Sequence, residues 1–423
     1  MIAPDENAQN GAAVRGDHSG AADQFGDRSR WVILSLLFGS ITINLLDRQV
    51  LSVMAPLIRD ELSLSSIEYS YVVFAFTLGL TVFQVPAGLL LDRKGARVGL
   101  PLVMLVWSMA NALHATARGV WQLCAFRFLL GAGECGNYSA GVKVISQRFP
   151  AQERALAGGL FNSGTVIGAA LAPGVLVTLA ALYGWRMTFV IPSILGLVWI
   201  IPWMMFYRDQ GPVQTSQDST GFWPLLGYRQ VWGVMLMRAL AGPVVHFYWY
   251  WLPEYLKRER GFTMEMIGAY AGLPFLFAGL GNVCGGAFAA ALMKRGISAD
   301  RTRKAAFVIA AALCALSMLV PLVASEFTAL ALICGATFGL ASMAANHIGT
   351  LGDLFQPKVL AGVTGLTGML EGMVNMILTL ATGVVVERFS YFPVFMAAGL
   401  LPALATMSLL VLVRKVEPVR AGA

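Results

Sequence analysis

Two short charged motifs lie inside apolar stretches of the sequence and have the residue types needed to bind an anion and a proton. Asp47 and Arg48 are neighbours in NLLDRQV, within a run that is otherwise hydrophobic over residues 31–56. Arg127 and Glu134 begin and end RFLLGAGE, also within an apolar stretch. An arginine can hold a carboxylate through paired hydrogen bonds. A buried carboxylic acid can take up and release a proton near neutral pH.

The composition indicates that these charges lie in a membrane. Hydrophobic residues make up 57% of the 423 residues and charged residues only 13%, whereas a soluble domain carries roughly 25% charged residues. Apolar stretches of about 20 residues, long enough to cross a bilayer as helices, recur along nearly the whole chain. Strands of a membrane barrel would instead alternate polar and apolar positions. The sequence therefore predicts an all-α membrane protein.

Hydropathy predicts about twelve spans in two groups of six. The spans lie near residues 31–56, 68–91, 98–117, 119–142, 154–179, 185–206, 230–253, 264–292, 305–324, 326–349, 359–385 and 390–413. The predicted organisation is a disordered cytoplasmic tail (1–30), a first six-helix bundle (31–206), a cytoplasmic linker (207–229), a second six-helix bundle (230–413) and a cytoplasmic tail (414–423). The first tail lacks the apolar core of a signal peptide.

The distribution of lysine and arginine predicts the orientation in the membrane. With both termini in the cytoplasm, the inner loops and tails hold 20 of the 30 basic residues and the outer loops hold seven. The remaining three, Arg48, Arg127 and Arg238, lie inside spans. Membrane orientation therefore accounts for the net charge of +7. A nucleic-acid partner would need a basic patch on a soluble domain, so we expect the bilayer and no nucleic acid as the partner.

The loop after span two reads GLLLDRKGARVG (88–99) and has a weaker copy after span eight, GGAFAAALMKRG (285–296). Asp92, Arg93 and Arg97 are expected to pair with neighbouring helix ends at the cytoplasmic surface, in a gating or structural role. The copy keeps the glycines and the basic end but lacks the acid. A weak repeat at the same place in each half indicates two related bundles around a central cavity.

These motifs resemble those of the major facilitator superfamily over residues 31–415. GLLLDRKGAR matches its loop signature G-x-x-x-D-[RK]-x-G-x-[RK], RFLLGAGE is similar to its span-four signature, and GTVIGAALAPG (164–174) to its span-five glycine motif. LLDRQVLS, RFPAQERALAGGLFNSG and YGWRMTFVI resemble the anion:cation symporter family, and FYWYWLPEYLKRERGFTMEMIG looks most like its hexuronate-permease branch. The resemblance implies two pseudo-symmetric six-helix bundles that import an organic anion with protons by alternating access.

The resemblance also implies roles for the charged residues. Arg48 would hold the substrate carboxylate, Asp47 and Glu134 would carry protons, and Arg127 would couple them and contribute to substrate binding. Burial and a nearby arginine act in opposite directions on the proton affinity of an acid. An anion that engages the arginine would therefore change that affinity, which is the physical requirement for coupled transport.

Helix geometry predicts partners for the four charges. The side chains of Asp47 and Arg48 diverge by about 100° around a helix, whereas Arg127 and Glu134 share one face about 10 Å apart. We expect Asp47 to pair with Arg127, which leaves Arg48 for the substrate. The alternative is a structural network between spans one and four. Buried ion pairs, however, are weak stabilisers once desolvation is counted.

Other intramembrane polar residues are secondary candidates. Glu371 is either a further proton-coupling group or an acceptor for a substrate hydroxyl; alternatively it is a structural acid paired with Arg238 or a residue at the lipid edge. Arg238 is either an anion contact or part of a cytoplasmic gate. His246 and His347 are expected to be hydrogen-bonded packing residues rather than proton relays. Sugar-hydroxyl contacts are predicted from four amides: Gln84, Asn162, Asn346 and Asn375.

The predicted function is proton-coupled import of a sugar acid, a hexuronate or aldonate, by a monomer in a bacterial cytoplasmic membrane. Leu45 and Leu80 stand where sugar-acid relatives usually have tyrosine, so an aromatic or short aliphatic carboxylate is the alternative substrate. A drug/H⁺ antiporter and a non-transporting sensor are more distant alternatives. The chain shows no phosphate-binding loop or catalytic triad pattern, so we expect no enzyme activity and no cofactor. The five cysteines have no metal-ligand spacing, and we expect no metal.

Overall fold

The computed structural model describes residues 27–209, 226–355 and 357–417. Its helices are α1 (Asp27–Leu62), α2 (Ser66–Leu113), α3 (Val120–Arg148), α4 (Ala151–Tyr183), α5 (Met187–Phe206), α6 (Arg229–Arg260), α7 (Met264–Tyr270), α8 (Leu273–Lys294), α9 (Ala299–Cys314), α10 (Glu326–Leu354), α11 (Pro357–Arg388) and α12 (Phe392–Leu412). Two 3₁₀ segments, His114–Thr116 and Ala315–Leu322, extend α2 and α9. The described residues contain no strand, which confirms the predicted all-α class.

Eleven segments of the described chain are long and apolar enough to cross a membrane. Helix α2 supplies two of them, and α7 with α8 supplies one interrupted span. Helix α3, with 29 residues, is not among the eleven because polar residues, Arg127 and Glu134 included, lower its hydropathy. The eleven segments together with α3 correspond to the twelve predicted spans.

The predicted loop between spans two and three is much shorter than expected. Helical hydrogen bonding runs through α2 on both sides of Gly95, the single residue in the helix with non-helical dihedral angles, φ 74° and ψ 168°. Because a positive φ is strained for residues with a Cβ atom, glycine is required at this break. The loop motif therefore forms a one-residue turn between two helical segments.

The two halves share a close helix contact at corresponding positions. A methyl group added to Gly79 of span two would collide with the carbonyl oxygen of Phe128 in span four. In the second half, a methyl group on Gly281 of span eight would collide with the carbonyl oxygen of Phe338 in span ten. Small residues allow membrane helices to approach at backbone distance. The matching contacts support two structurally related halves.

At one side of the membrane, a single apolar core continues from the first half into the second half. We call the side where α1 begins the near side, and the side where α1 ends the far side. The larger cluster of buried side chains runs through the first half and continues into far-side aromatic residues of α6 and α12, among them Trp251, Tyr255 and Phe395. A second cluster lies within the near part of the second half, around Val234, Phe307 and Leu409.

Parts of the predicted domain organisation lie outside the described residues. These parts are most of the first tail (1–26), most of the linker (210–225) and the last residues (418–423). The proposed bundle limits, 31–206 and 230–413, stay a prediction.

The glycine contacts predict a position-specific effect of adding one methyl group. Gly131 of α3 faces the carbonyl oxygen of Phe76 on α2 at the same kind of contact, whereas Gly158 of α4 has open space around it. We expect Gly131→Ala to lower stability by about 1–3 kcal/mol because the backbones must separate. Gly158→Ala should leave stability unchanged or raise it by about 0.5–1 kcal/mol.

Thermal melting of both purified variants in detergent checks this prediction. Equal melting temperatures for the two variants would contradict the close contact between α2 and α3.

Candidate functional site

A buried ion pair joins α1 to α3. Nε and Nη2 of Arg48 donate to Oε2 of Glu134, at 3.0 and 2.8 Å. The Glu134 side chain is fully enclosed, whereas 19% of the Arg48 side chain stays exposed. The Arg48 guanidinium also lies 5.1 Å from the centre of the Phe76 ring, within the range of a cation–π contact. Arg48 therefore neutralises Glu134 while part of its own surface remains accessible.

Asp47 is fully buried and faces the second part of α2. Nδ2 of Asn111 donates to Oδ1 of Asp47 at 2.8 Å and to the carbonyl oxygen of Phe189 at 3.2 Å. Oδ2 of Asp47 has no hydrogen-bond partner among the described residues, and neither has Oε1 of Glu134. Each acid thus keeps one oxygen on which a proton can reside.

Arg127 is fully buried, and none of its three guanidinium nitrogens has an acceptor among the described residues. Its guanidinium lies 5.8 Å from the centre of the Phe76 ring. A buried charge without hydrogen-bonded partners is costly. The N–H groups of Arg127 are therefore unmatched donors of this cluster, and so are Nε1 of Trp107 beside Asp47 and Nδ2 of Asn44 beside Glu134.

The predicted pairing of Asp47 with Arg127 is wrong. Because Asp47 and Arg48 diverge around α1, the rotation of α1 that turns Arg48 toward α3 turns Asp47 toward Asn111. Arg48 is thus the paired arginine and Arg127 the one without an acceptor. Sequence reasoning missed Asn111, although a buried asparagine in the apolar run WSMANAL (107–113) was a signal for it.

In the second half, Nε of Arg238 on α6 donates to Oε2 of Glu371 on α11 at 2.6 Å. This agrees with the alternative in which Glu371 pairs with Arg238. Both partners belong to the second half, so the pair does not bridge the halves as a gate would.

The four predicted amide contacts are not brought together. Asn346 donates to the carbonyl oxygens of Gly285 and Ser342 and accepts from Arg303, so its amide holds α8, α9 and α10 together. Asn375 is buried one turn beyond Glu371, whereas Gln84 and Asn162 are exposed. Their predicted contacts with substrate stay predictions.

The histidines and the two leucines also have definite surroundings. Nδ1 of His246 lies 3.2 Å from the carbonyl oxygen of Gly242, whereas both ring nitrogens of His347 lack a partner among the described residues. Leu45 is a core residue that packs near Gly168 of α4, and Leu80 is half-buried. Leu45 therefore fills a helix contact in this conformation.

The loop motif is held by an acid that sequence reasoning missed. Asp209, which follows α5, accepts from the backbone N–H groups of Ala96 and Arg97 at 3.0 and 3.2 Å. Acceptors at the start of a helix satisfy its unpaired N–H groups. Arg93 is exposed, and the side chain of Asp92 lies outside the described part of the structure. The predicted pairing of these side chains stays untested.

Charged residues close the far side between the halves. Nη1 of Arg59 on α1 donates to Oε1 of the fully buried Glu254 on α6 at 2.5 Å. Arg258 bonds to the same carboxylate and also to Asp60 of α1, at 2.7 Å, and Lys257 lies 3.4 Å from Asp60. The opposite signs of RDE (59–61) and KRER (257–260) were the sequence signal for this network.

Three further hydrogen bonds join the two halves beside this network. Ser52 donates to the carbonyl oxygen of Trp249 at 2.6 Å, and the Tyr69 hydroxyl donates to that of Tyr250 at 2.7 Å. Glu387 accepts from the backbone N–H of Ser66 at 2.6 Å. The structure is therefore a far-side-closed conformation.

An apolar cavity of about 170 Å³ lies between α4, α6, α8 and α10. Its lining includes Thr165, Trp249, Phe275, Asn282, Thr337 and Leu340. The Trp249 ring lies 6.4 Å from His246 and 6.2 Å from Phe275, measured between ring centres. The cavity thus begins beside the polar face of α6 and continues between apolar walls.

Buried charges at the centre of a helical membrane protein and a closure at one side are features of transporters. Residues 37–350 match the family described as the Major Facilitator Superfamily. Among solved structures, a bacterial homologue of the human lysosomal transporter Spinster superposes with a TM-score of 0.74 at 19% identity, covering 92% of this chain and 96% of that one. The D-xylose–proton symporter gives a TM-score of 0.73 at 15% identity, covering 90% and 97%.

Curated relatives agree with this assignment. The hexuronate transporter of Escherichia coli strain K12 is 30% identical, covering 86% of this chain and 90% of its own length. The galacturonate transporter of Dickeya chrysanthemi is 33% identical, covering 61% and 80%. The chain belongs to the Major Facilitator Superfamily and, within it, to the branch of sugar-acid permeases. It is therefore a multi-pass membrane transporter and not an enzyme.

The far-side network predicts how the conformational equilibrium responds to charge removal. Glu254→Gln leaves Arg59 and Arg258 without their shared carboxylate, and an unpaired buried charge costs about 3–5 kcal/mol. We expect the far side to open more often. A cysteine introduced at Ser52, below the network, should then react about tenfold faster with a membrane-impermeant thiol reagent, since 1.4 kcal/mol corresponds to a factor of ten.

Glu61→Gln is the matched control in a background lacking the native cysteines. Glu61 bonds to Trp185 and Arg186 of its own half, so its removal should leave the reaction rate unchanged. Equal rates in the Glu254 variant and the control would show that the network does not hold the far side closed.

Proposed function

We propose that the protein is a proton-coupled symporter that imports an organic anion of the sugar-acid class by alternating access. One observation carries the proposal: the cluster between α1 and α3 combines unmatched donors on Arg127 with an unmatched oxygen on each of Asp47 and Glu134. The Arg127 N–H groups can donate hydrogen bonds to a substrate carboxylate. The free oxygens of Asp47 and Glu134 can each accept a proton.

The anion is proposed to bind at the two arginines of the first half. Arg127 supplies guanidinium N–H groups that no described residue accepts. Arg48, the partly exposed arginine, supplies the second group. A carboxylate that reaches Arg48 competes with Glu134 for the same Nε and Nη2 donors. Binding of the anion and release of Glu134 are then one event.

Protons are proposed to load on the acid that the anion displaces. A carboxylate left without its arginine in a buried site becomes a better proton acceptor. Glu134 takes the first proton in this scheme, and Asp47, held by the neutral donor Asn111, takes a second. Glu371 remains a further candidate. Loading one anion together with one proton leaves the net charge of the site unchanged, so the two halves can move around it without a new uncompensated charge.

The substrate class is proposed from the relatives. Curated relatives are named as transporters of hexuronate and galacturonate, which supports a sugar acid. A second class, an aromatic or short aliphatic carboxylate, is supported by Leu45 and Leu80, which lack the hydroxyl groups that tyrosines would supply. A drug/H⁺ antiporter is disfavoured because Arg48 and Arg127 repel cations. The glycines of its suggested motif, Gly164 and Gly168, have a packing role against α1.

The proposed location is a bacterial cytoplasmic membrane, with the near side and both termini in the cytoplasm and the protein acting as a monomer. The excess of basic residues in the near-side loops and tails supports this orientation. In it, the closed far side is the side that faces away from the cytoplasm.

Uptake into proteoliposomes under an inward proton gradient tests the function. The panel consists of glucuronate, galacturonate, galactonate, benzoate and lactate, with protein-free liposomes and a protonophore as controls. We expect accumulation of a uronate or aldonate that the protonophore abolishes, and loss of uptake in Arg48→Ala. Accumulation of only benzoate or lactate would establish the second class. Binding without accumulation of any acid would identify a sensor.

The proton role of Glu134 predicts that two transport modes separate. Glu134→Gln cannot exchange a proton but retains a neutral group of similar size. We expect gradient-driven accumulation to fall by about tenfold or more, in line with the contribution of one proton-transferring side chain. Exchange of external for preloaded substrate should persist. Normal accumulation in this variant, with Glu61→Gln as the control, would exclude Glu134 from the proton path.

A further inference from the structure

A row of α6 residues leads from Arg238 to the charged cluster of the first half. Arg238, Gly242, His246 and Tyr250 follow one another at four-residue steps and so form one ridge of the helix. Tyr250 packs against Phe76, with ring centres 6.4 Å apart. The ridge therefore runs from Arg238 to the aromatic ring that both Arg48 and Arg127 contact.

His246 connects the two parts of the charged region by direct packing. Its ring centre lies 6.3 Å from that of Tyr250, and its Nδ1 lies 3.2 Å from the carbonyl oxygen of Gly242. Gly242 in turn packs against the side chain of Glu371, the partner of Arg238. Arg238 and Arg48 thus lie along one continuous polar region rather than in two separate sites.

The two arginine–glutamate pairs have the same form. In each pair the acid is the more enclosed partner and the arginine the more exposed one: the exposed fractions are 0% for Glu134 and 19% for Arg48, and 14% for Glu371 and 37% for Arg238. The exposed part of each arginine keeps its donors within reach of an incoming anion, which can then replace the enclosed acid as the hydrogen-bonded partner.

The far-side ion pair between Arg59 and Glu254 provides a common reference for depth. Arg48 precedes Arg59 by eleven residues and Arg238 precedes Glu254 by sixteen, which is about 16 Å and about 24 Å along the helices. Arg238 therefore lies about 8 Å nearer the near side than Arg48. This offset suits a short molecule with an acidic group at each end.

Charge balance indicates the same class of substrate, and this step rests on the proposed function. The region contains three arginines, Arg48, Arg127 and Arg238, and three acids, Asp47, Glu134 and Glu371. When Asp47 and Glu134 are protonated, as the symport scheme requires, two positive charges remain. A dianion neutralises both, whereas a monoanion leaves one uncompensated charge in a region of low dielectric constant.

We propose that Arg238 is a second anion-binding residue and that the substrate is a sugar diacid, with one carboxylate at Arg48 and Arg127 and the other at Arg238. The second carboxylate displaces Glu371 from Nε of Arg238, as the first displaces Glu134 from Arg48. Glu371 thereby acts as an internal competitor that occupies Arg238 when no substrate is bound.

Direct binding of glucarate and gluconate to the purified transporter tests the proposal. The two acids share a six-carbon hydroxylated chain and differ in whether the far end is a carboxylate or an alcohol. We expect wild type to bind glucarate about tenfold more tightly, the difference that a hydrogen-bonded charge contributes. Arg238→Gln should reduce this preference to about one, and Arg238→Lys should restore part of it, since lysine keeps the charge but not the planar fork.

Two further variants separate binding from a structural role. Arg186→Gln removes an arginine from another arginine–glutamate pair, with Glu61 at the far surface, and should keep the preference. Glu371→Gln removes the competitor and should keep or increase the preference, whereas a purely structural pair would give Glu371→Gln and Arg238→Gln the same defect.

The outcomes distinguish this inference from the proposed function. Equal affinities of the wild type for both acids, or an equal loss of both affinities in Arg238→Gln, overturns the second subsite. If gluconate accumulates under a proton gradient in that case, the symport proposal stands without the second subsite at Arg238. A glucarate preference lost in Arg238→Gln supports the subsite even where proton-driven accumulation fails.

Discussion

The ion pair between Arg48 and Glu134 is the interaction on which the arrangement of the first half depends. An unpaired charge inside the membrane is costly. Arg48 on α1 and Glu134 on α3 face each other, so each neutralises the other. Once Arg48 is turned toward Glu134, the geometry of α1 turns Asp47 toward Asn111 on α2. The pair thus determines the rotation of α1, which acid receives a neutral donor, and which arginine is left without an acceptor.

The far-side contacts use a different kind of interaction. There, several charges of both signs meet between α1 and α6, close to the membrane surface, and an apolar aromatic core continues beneath them. The central pair lies within one half and can open without moving helices. The far-side network joins two halves and can open only if they separate. Ligand exchange and conformational change are therefore assigned to separate sets of charges.

Much of the fold follows from the sequence because each span is a long apolar run that must satisfy its own backbone hydrogen bonds. The charged residues of the site were equally visible, since Asp47, Arg48, Arg127 and Glu134 interrupt such runs. Their partners were not predictable. Whether Asp47 pairs with Arg127 or with Asn111 depends on the angle to which α1 is rotated about its axis. Neighbouring residues differ by about 100° in this angle, so the sequence does not determine the partner.

The same limit explains the residues that sequence reasoning missed. Asp209 and Glu254 act on elements far away in the chain, Ala96 and Arg59 respectively. Neither acid is distinguished by its own neighbours in the sequence, and only the opposite signs of RDE (59–61) and KRER (257–260) indicated that charges meet at the far side. Asn346 illustrates the converse case: its position inside a span predicts a substrate contact, and packing adds contacts of its amide with Gly285 and Arg303 that the sequence does not indicate. Local patterns identify buried polar groups, but only packing assigns their partners.

The glycine contacts of Gly79 and Gly281 bear on how such a transporter moves. Backbones that touch directly cannot slide, because any shift along the helix brings a larger side chain against the neighbouring carbonyl. Each half must therefore turn as a rigid unit. Relative motion is left to the surface between the halves, which includes the contacts of α1 with α6 and of α2 with α11. A hinge motion with shear confined to one interface is the mechanical consequence of two corresponding glycines.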